Sequence, residues 1–315
     1  MEYKITRFEQ SFFPSFVLLL QQAFDVKPSI AEKLARWKYF NPFFKNKSII
    51  YVALDQENNV VSQYANIPMA VNKNGKKYMS MVCVDMATHP NHRGQGLITQ
   101  LSKKVYEDVK EQGYDFTIGF SNDEGVKVDK NSRDYGYKII GKFISYYKFI
   151  IYKKKTGFHL ESTKNFLQIP QNCSLYSISS TTDYLEWRFR KKPNHNYEQY
   201  TVLDENDNKI GIVVLRTKYG RYYVLKILAH CMQKNTIDEI LKAIENLALQ
   251  KGERLLIYSV LNNSFWESLF GNYRYFKKNN NSVNYYLTIK IHNQNLNKDE
   301  LTDKNNWFIM NGDII

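Results

Sequence analysis

A loop with two glycines, placed between an apolar stretch and an amphipathic stretch, restricts the fold of this chain more than any other feature. The apolar stretch from Lys77 to Ala87 predicts a strand, and the loop reads Asn91-His92-Arg93-Gly94-Gln95-Gly96. Apolar residues then recur at helical spacing up to Gly113, a typical helix end; they are Leu97, Leu101, Val105 and Val109. A second strand-like stretch, Tyr114 to Phe120, follows, so the segment predicts one parallel strand-helix-strand crossover.

The elements around the crossover predict a mixed, mostly antiparallel sheet flanked by helices. The predicted strands of this half are 3–8, 48–54, 60–71, 77–87, 114–120 and 137–152. The predicted helices are 9–24, 30–40, the stretch before Gly113, and a polar helix or turn at 123–134. The element order is therefore βααβββαβαβ, which places the fold in the α/β (α+β) class with one parallel crossover.

The second half of the sequence repeats features of the first at a nearly constant offset. Trp37-Lys38-Tyr39 followed by Pro42 is similar to Trp187-Arg188-Phe189 followed by Pro193, and Leu54 to Val61 is similar to Leu203 to Ile210. Internal similarity of this kind indicates a duplicated unit. We therefore expect two copies in tandem, with these bounds: 1–152 for the first domain, 153–179 for a linker, 180–291 for the second domain, and 292–315 for a C-terminal tail.

Composition narrows the class of protein. With 43% hydrophobic and 15% aromatic residues, the chain of 315 residues is expected to be a soluble globular protein. The longest apolar run, Phe16 to Leu20, is too short to span a membrane, and no signal-peptide pattern precedes it. Three widely spaced cysteines without a CxxC pair favour neither a disulfide framework nor a metal site, so we expect a cytoplasmic protein that binds no metal.

The net charge of +13 raises the question of an anionic partner. The basic residues are scattered along the chain and mixed with Asn instead of forming a stripe. We therefore expect neither nucleic acid nor a membrane as a partner.

The glycine loop has the features of a phosphate-binding site. Glycine lets a ligand approach the backbone closely, and the unpaired N–H groups at a helix start favour an anion. Arg93 adds a charged donor. The loop is not a Walker loop, because no Lys-Ser/Thr follows Gly96, and it is not a Rossmann loop, because Thr99 occupies the third glycine position.

Together with its surroundings, the loop resembles the cofactor motif of the GNAT superfamily of acetyl-CoA-dependent N-acetyltransferases. That motif reads roughly Q/R-x-x-G-x-G/A after a strand that ends in V-x-P. Gly94 and Gly96 fit both glycine-type positions, whereas Asn91 replaces Gln or Arg and Thr88 replaces Val before His89-Pro90. The resemblance implies a GNAT-like fold, duplicated in tandem, with acetyl-CoA (coenzyme A) as cofactor.

The resemblance extends over residues 3–150 and includes Asn122 after the next strand and Gly136-Tyr137 where the family has Gly-Phe. It implies that the central strand separates from its neighbour at its end and offers backbone groups to the pantetheine arm. The residues that it places at the cofactor are Met86, Ala87, Thr88, Arg93, Gly94, Gln95, Gly96, Leu97, Ile98 and Asn122. For Asn122, the role of a helix N-cap is an equal alternative.

Acetyl transfer to an amine requires removal of an ammonium proton, stabilisation of an oxyanion and reprotonation of the thiolate. Asp85, at the end of the central strand in an apolar run, is the first candidate for the general base. Strand alternation places Asp85 on the same face of the sheet as Ala87, and a bulge would change that face. A purely structural Asp is the alternative. The resemblance implies a Tyr general acid at the position of Ser132, and Tyr135 would replace it only in a shifted helix.

The second copy lacks the glycine loop, since the segment from Ala229 to Thr236 contains no glycine. We expect this copy to be degenerate and to shape the substrate cleft or the face of a homodimer. The chain is interpreted as an acetyl-CoA-dependent N-acyltransferase that acts on a primary amine of a small molecule, an amino sugar or a peptide. A non-catalytic acyl-CoA-binding or regulatory module is the alternative, favoured by the missing Tyr, and an aminoacyl or peptidoglycan-type transferase comes third.

Overall fold

The fold is described from a computed structural model, which describes residues 2–45, 47–131, 136–169, 173–271, 275–278 and 284–315. The strands are β1 (Lys4–Arg7), β2 (Ile49–Leu54), β3 (Val60–Lys73), β4 (Lys76–Thr88), β5 (Phe116–Asn122), β6 (Lys138–Phe149), β7 (His159–Ser162), β8 (Ser177–Ile178), β9 (Glu198–Leu203), β10 (Lys209–Thr217), β11 (Tyr222–Ala229), β12 (Leu255–Leu261), β13 (Phe276–Lys278) and β14 (Tyr285–Ile291). The helices are α1 (Phe13–Phe24), α2 (Pro28–Tyr39), α3 (Leu97–Glu111), α4 (Asp123–Asn131), α5 (Thr182–Leu185), α6 (Lys234–Gln250), α7 (Ser264–Phe270) and α8 (Lys298–Thr302). Together the strands form one 14-stranded sheet, so the predicted mixed sheet flanked by helices is confirmed.

The first half follows the order βααβββαβαβ that the sequence predicts. β4 and β5 are its parallel pair around α3, and β1 to β4 pair antiparallel. α3 packs on one face of the sheet, and α1 and α2 pack on the other. β2 is therefore buried on both faces, which explains why its apolar residues run continuously instead of alternating with polar ones.

The two halves exchange strands in the middle of the sheet. β14, which comes late in the chain, lies between β5 and β6. β6 pairs with β14 near its start and with β12 from Phe143 to Phe149. Each half therefore depends on a strand from the other, and neither of the predicted ranges 1–152 and 180–291 closes its own sheet.

The residues that suggested a sequence repeat occupy matching places in the two halves. The indole N–H of Trp37 donates to the carbonyl of Trp187 at 2.8 Å, and the indole N–H of Trp187 donates to the carbonyl of Trp37 at 2.9 Å. Their rings are stacked with centroids 4.9 Å apart. Asp55 and Asp204 also close the same turn, since each carboxylate accepts from the backbone N–H groups two and four residues later. These contacts support a duplication, which we keep as a proposal.

The range 153–179 is not a free linker, because β7 pairs with β9 and β8 pairs with β3. The range 292–315 is not a free tail either. Trp307, Phe308, Ile309 and Met310 are buried, and the N–H of Phe308 donates to the carbonyl of Tyr176 at 2.8 Å. Their apolar side chains fill the space between the halves, so burial holds this segment in the core.

Candidate functional site

β4 and β5 separate near the carboxyl end of β4. They pair from Ser80 with Phe116 to Cys83 with Gly119, and over the described residues no further pair joins them although β4 continues to Thr88. A bulge lies at the separation, because Val84 and Ala87 pair with Ala65 and Gln63 of β3 while two residues between them face a single one. The expected separation of the central strand from its neighbour is therefore confirmed. Together with the bulge in β4, it opens a gap through the sheet.

The loop after β4 has a backbone conformation that requires glycine. Gly94 and Gly96 have φ angles of 78° and 68°, in the left-handed region where other residues are strained. A Cβ at either position would meet no atom within 4 Å, so conformation and not crowding inside the chain accounts for both glycines. No side chain of the described residues caps the first turn of α3, which leaves its N–H groups available to an anion.

A cleft of about 780 Å³ joins this loop to the gap between β4 and β5. All the residues that the resemblance places at the cofactor line it: those from Met86 to Thr88, those from Arg93 to Ile98, and Asn122. Asp85 lines it as well. The cofactor residues implied by the resemblance and Asp85 thus lie on one surface.

Asp85 lies in the bulge of β4 with a φ of 46°. Its Oδ2 accepts from the Lys38 ammonium at 2.5 Å and from the Tyr39 hydroxyl at 2.6 Å. Gln63 also donates from its amide to the carbonyl of Asp85. Burial, and then the nearby Asp85 carboxylate, raise the pKa of Tyr39 well above its usual value, so Tyr39 stays a proton donor. The bulge that the sequence analysis considered therefore turns Asp85 towards the cleft, with α2 holding one carboxylate oxygen.

Asn122 acts as the N-cap of α4, because its Oδ1 accepts from the backbone N–H of Gly125 at 2.8 Å. It lines the cleft at the same time, so the two roles weighed for it are compatible. His92 is held at the loop by the Tyr3 hydroxyl, 3.0 Å from its Nδ1. This contact joins the loop to the residue that precedes β1.

The predicted general-acid positions, Ser132 and Tyr135, lie outside the described residues. Other hydroxyl groups lie at the cleft. Tyr64 and Tyr137 line it, and the Tyr64 hydroxyl is hydrogen-bonded to that of Tyr106. Burial, and then the neighbouring Tyr137, raise the pKa of Tyr106 well above its usual value, so this hydroxyl also keeps its proton.

The second half has a similar separation of strands, but it is filled. β11 and β12 pair from Tyr222 with Leu256 to Val224 with Tyr258, and β11 then continues to Ala229. Residues 309–313 lie in the gap. The N–H of Leu261 donates to the carbonyl of Ile309 at 3.1 Å, and a Cβ on Gly312 would lie 2.5 Å from the carbonyl oxygen of Leu225. The chain therefore occupies this gap itself.

Several residues that line the cleft or contact its lining residues were not found from the sequence. Lys38 and Tyr39 were noted only as part of the repeat, and their contact with Asp85 depends on the packing of α2 against β4. Phe24, Ile314 and Ile315 line the cleft, and no local pattern marks them as site residues.

Among the residues that the structure describes, no group of three or more His, Cys, Asp and Glu side chains is placed to hold a metal ion. Within the same part of the chain, no helix combines the length and the apolar character needed to cross a membrane.

The mixed sheet, the separated central strands and the glycine loop together define a GNAT-type acyltransferase. Residues 4–140, a little under half of the chain, match the family model described as the acetyltransferase (GNAT) domain. No curated protein matches the sequence.

Solved structures with a similar fold include a probable N-acyltransferase, otherwise described as a conserved protein of unknown function, from Enterococcus faecalis V583, with 14% identity and a TM-score of 0.71; the match covers 93% of this chain and 73% of that one. A GCN5-related N-acetyltransferase from Anabaena variabilis has 11% identity, a TM-score of 0.70 and the same coverages of 93% and 73%. The Saccharomyces cerevisiae N-myristoyltransferase with bound myristoyl-CoA has 9% identity and a TM-score of 0.56, over 92% of this chain and 82% of that one. At these identities the likeness shows the fold alone.

Proposed function

We propose that the chain transfers an acetyl group from acetyl-CoA to a primary amine, in a reaction carried by the cleft between β4 and β5. The observation that carries this proposal is the continuity of that cleft. It begins at the glycine loop and the uncapped start of α3, and it reaches Asp85 in the gap of the sheet. An anionic cofactor with a long neutral arm matches such a surface, because its charged and its neutral parts require different surroundings.

The residues fit acetyl-CoA in two stretches. The backbone N–H groups from Arg93 to Ile98, with the Arg93 guanidinium, would hold the pyrophosphate. The ends of β4 from Met86 to Thr88 and of β5 at Asn122 would accompany the pantetheine arm. Bound there, acetyl-CoA supplies an acetyl group already activated as a thioester. That the acyl group is acetyl is part of this proposal, because the same loop and strand ends would also hold the CoA moiety of other acyl-CoA molecules.

Asp85 is the proposed acceptor of the amine proton. Lys38 and Tyr39 donate to its Oδ2. Among the described residues no donor is assigned to Oδ1. Because Asp85 lines the cleft, Oδ1 is the oxygen that would accept the proton of the substrate ammonium. Lys38 forms an ion pair with Oδ2 of Asp85 at 2.5 Å, so the same contact that orients this group also limits the access of a substrate ammonium to that oxygen. A non-catalytic acyl-CoA-binding module is the second candidate, and that limiting contact is the observation that favours it.

Titration with CoA, followed by calorimetry, tests the cofactor site. We expect one CoA per chain, because among the described residues it is the first half that combines an open gap with a glycine loop. Two CoA molecules per chain would contradict the proposed difference between the halves, and no binding would overturn the proposed function.

Release of the CoA thiol from acetyl-CoA in the presence of a panel of primary amines tests the activity. Thiol release that requires both the amine and an intact Asp85 supports an acetyltransferase. CoA binding without thiol release from any amine makes the binding module the better account.

A further inference from the structure

Large apolar side chains lie exposed at one end of the second half of the sheet. Five of them are between 58% and 82% exposed: Phe149, Ile151, Tyr152, Tyr219 and Phe276. Phe149, at the end of β6, pairs with Leu255 of β12, and β11 begins beside β12 directly after the turn that holds Tyr219. The rings of Phe149 and Phe276 lie 6.1 Å apart. We call these five residues the apolar end patch. Exposed apolar side chains that converge in this way mark an interaction surface.

The turn between β10 and β11 holds Tyr219 in an unfavourable backbone conformation. Tyr219 and Gly220 have φ angles of 54° and 64°, and Lys218 and Arg221 each donate a backbone N–H to the carbonyl of the other. Asn or Gly is the ordinary residue in such a turn, whereas a bulky aromatic residue is strained there. The Tyr219 ring is exposed, so packing inside the chain does not account for it. Strain of this kind indicates a role in binding.

The segments that meet at this end are strongly basic. Residues 149–154, 218–221 and 251–254 carry six cations and one carboxylate, that of Glu253. Lys251 is paired with Glu198 at 2.8 Å. Four of the other cations are exposed and form no ion pair within the described part of the chain; they are Lys153, Lys218, Arg221 and Arg254. These cations are scattered in the sequence, and the pairing of distant strands gathers them around the apolar end patch.

An apolar surface with a basic rim fits an anionic lipid surface. The aromatic and aliphatic side chains can enter the boundary between headgroups and acyl chains, while the cations contact anionic headgroups. Lys154 lies over the Tyr152 ring, 4.1 Å from its centroid, so both kinds of group share one surface. A single-stranded nucleic acid would stack its bases on the rings, but Ile151 offers no ring. This side chain, one of the most exposed of the five, favours the lipid surface.

We propose that the apolar end patch, with the four exposed cations around it, docks the protein on a membrane surface that contains anionic phospholipids. The side chains enter the headgroup region, and the backbone stays in water. The sequence alone led us to expect no membrane partner, because the basic residues are scattered along it. The docking does not depend on the proposed function, since the apolar end patch shares no residue with the lining of the cleft.

Co-sedimentation of the full chain with vesicles tests the docking. The vesicles contain phosphatidylcholine alone or phosphatidylcholine mixed with phosphatidylglycerol. We expect binding to the anionic vesicles to be tighter by about tenfold or more, because each cation near such a surface contributes about fivefold, or about 1 kcal/mol. Salt at about 1 M shortens the Debye length to about 3 Å and should remove this preference.

Lys153→Ala combined with Lys218→Ala should weaken binding to the anionic vesicles by about 25-fold, since two cations are lost. Lys27→Ala combined with Lys33→Ala is the matched control, because both lysines are exposed and lie at α2 in the first half. The control should bind almost as tightly as the unchanged protein. Equal losses in the two double variants would show that only the net charge of +13 attracts the protein, and would overturn the proposal.

Ile151→Ser should weaken vesicle binding by about tenfold or more, because each methylene buried in lipid contributes about fourfold, or about 0.8 kcal/mol. Leu18→Ser, at an exposed position of α1, is its control and should leave binding unchanged.

Tyr219→Asn should weaken vesicle binding and raise the melting temperature, because Asn tolerates the left-handed backbone. A purely structural role of Tyr219 would lower the melting temperature and leave vesicle binding unchanged, which contradicts the proposal.

Three further results would overturn the proposal: no preference for anionic over neutral vesicles, tighter binding of a single-stranded oligonucleotide through the same residues, or a dimer in sedimentation velocity that Ile151→Ser dissociates. The second result would assign the surface to nucleic acid, and the third to a second copy of the chain. Absence of vesicle binding with CoA binding intact defeats this inference alone, whereas absence of CoA binding defeats only the proposed function.

Discussion

The two halves of the molecule carry the same separation of parallel strands and use it differently. β4 runs past its last pair with β5 from Cys83 to Thr88, and β11 runs past its last pair with β12 from Val224 to Ala229. In the first half the gap opens into the cleft, and in the second half residues 309–313 fill it. The strand arrangement alone therefore does not make a ligand site.

The difference lies in the segments that follow and face each gap. The bulge in β4 presents Asp85 to the cleft, whereas the irregularity in β11 places Leu225 in the core at 6% exposure. The loop after β4 has two glycines in the left-handed region, whereas α6 begins after Gln233 with an extended backbone. A gap becomes a candidate site when a loop can hold an anion beside it, and otherwise it has to be filled to avoid a cavity.

Asp85→Asn has the largest expected effect, and it tests whether the open gap of the first half is a catalytic site. It keeps the size of the side chain and removes its charge, so a base role predicts a loss of turnover of about 10² to 10⁴ with little change in CoA affinity. The measurement is steady-state thiol release together with CoA calorimetry. Asp207→Asn, at an exposed turn position of the second half, is the control. A parallel loss of stability and CoA affinity, of about 1 to 3 kcal/mol, would assign Asp85 a structural role instead.

Asp313→Asn tests the filled gap. Lys226 and Asp313 are at most 1% exposed, so the substitution leaves a buried ammonium without its counter-charge and should lower the free energy of unfolding by about 3 to 5 kcal/mol. Urea unfolding measures this loss. Glu107→Gln, which removes an exposed pair with Lys104, should change it by less than about 1 kcal/mol.

Titration of Asp313→Asn with CoA tests what excludes CoA from the second half. If the missing glycine loop excludes CoA from the second half, Asp313→Asn still binds one CoA per chain. A second equivalent would show that residues 309–313, and not the loop, exclude it.

His292 tests how the first half depends on the borrowed strand β14, which it directly follows. Its Nε2 lies 2.9 Å from the Thr117 hydroxyl of β5, and burial, followed by the charges of Lys290 and Lys110, lowers its pKa to about 4. The unfolded chain takes up this proton near pH 6.5, so the folded state is fully favoured above that pH and loses about 3 kcal/mol as the pH falls towards 4. Urea unfolding at pH 7 and pH 4 measures the difference.

His292→Gln should remove most of that pH dependence, and His230→Gln, at an exposed position, should leave it unchanged. Equal pH dependence in all three proteins would show that other groups control the acid sensitivity of the sheet.

Gly94→Asp has the smallest expected effect. It places a negative charge and a strained backbone at the proposed pyrophosphate site, so calorimetry should show CoA affinity reduced by about tenfold or more, about 1.4 kcal/mol. Gly252→Asp introduces the same strain at a φ of 77° after α6 and should leave CoA affinity unchanged. Equal affinity in the two variants would remove the loop from the cofactor site.

The sequence by itself determined the local features of the first half. The strand, glycine loop and helix around Gly94 are set by apolar periodicity and by the need for a left-handed backbone, both of which act within a few residues. For that reason the element order was predicted correctly, and the loop residues from Arg93 to Ile98 all lie at one cleft. The turn at Asp55 and its counterpart at Asp204 are local in the same sense.

Tertiary structure alone decided the features that join distant residues. No periodicity marks β14 as the partner of β5, because any apolar alternating strand satisfies the same backbone pairing. The contact of Lys38 with Asp85 and the arrival of Ile315 at the cleft depend on how α2 and residues 309–313 pack between the halves. These contacts are decided by the shape of the whole core and by the pairing of buried charges, which no local stretch of the chain contains.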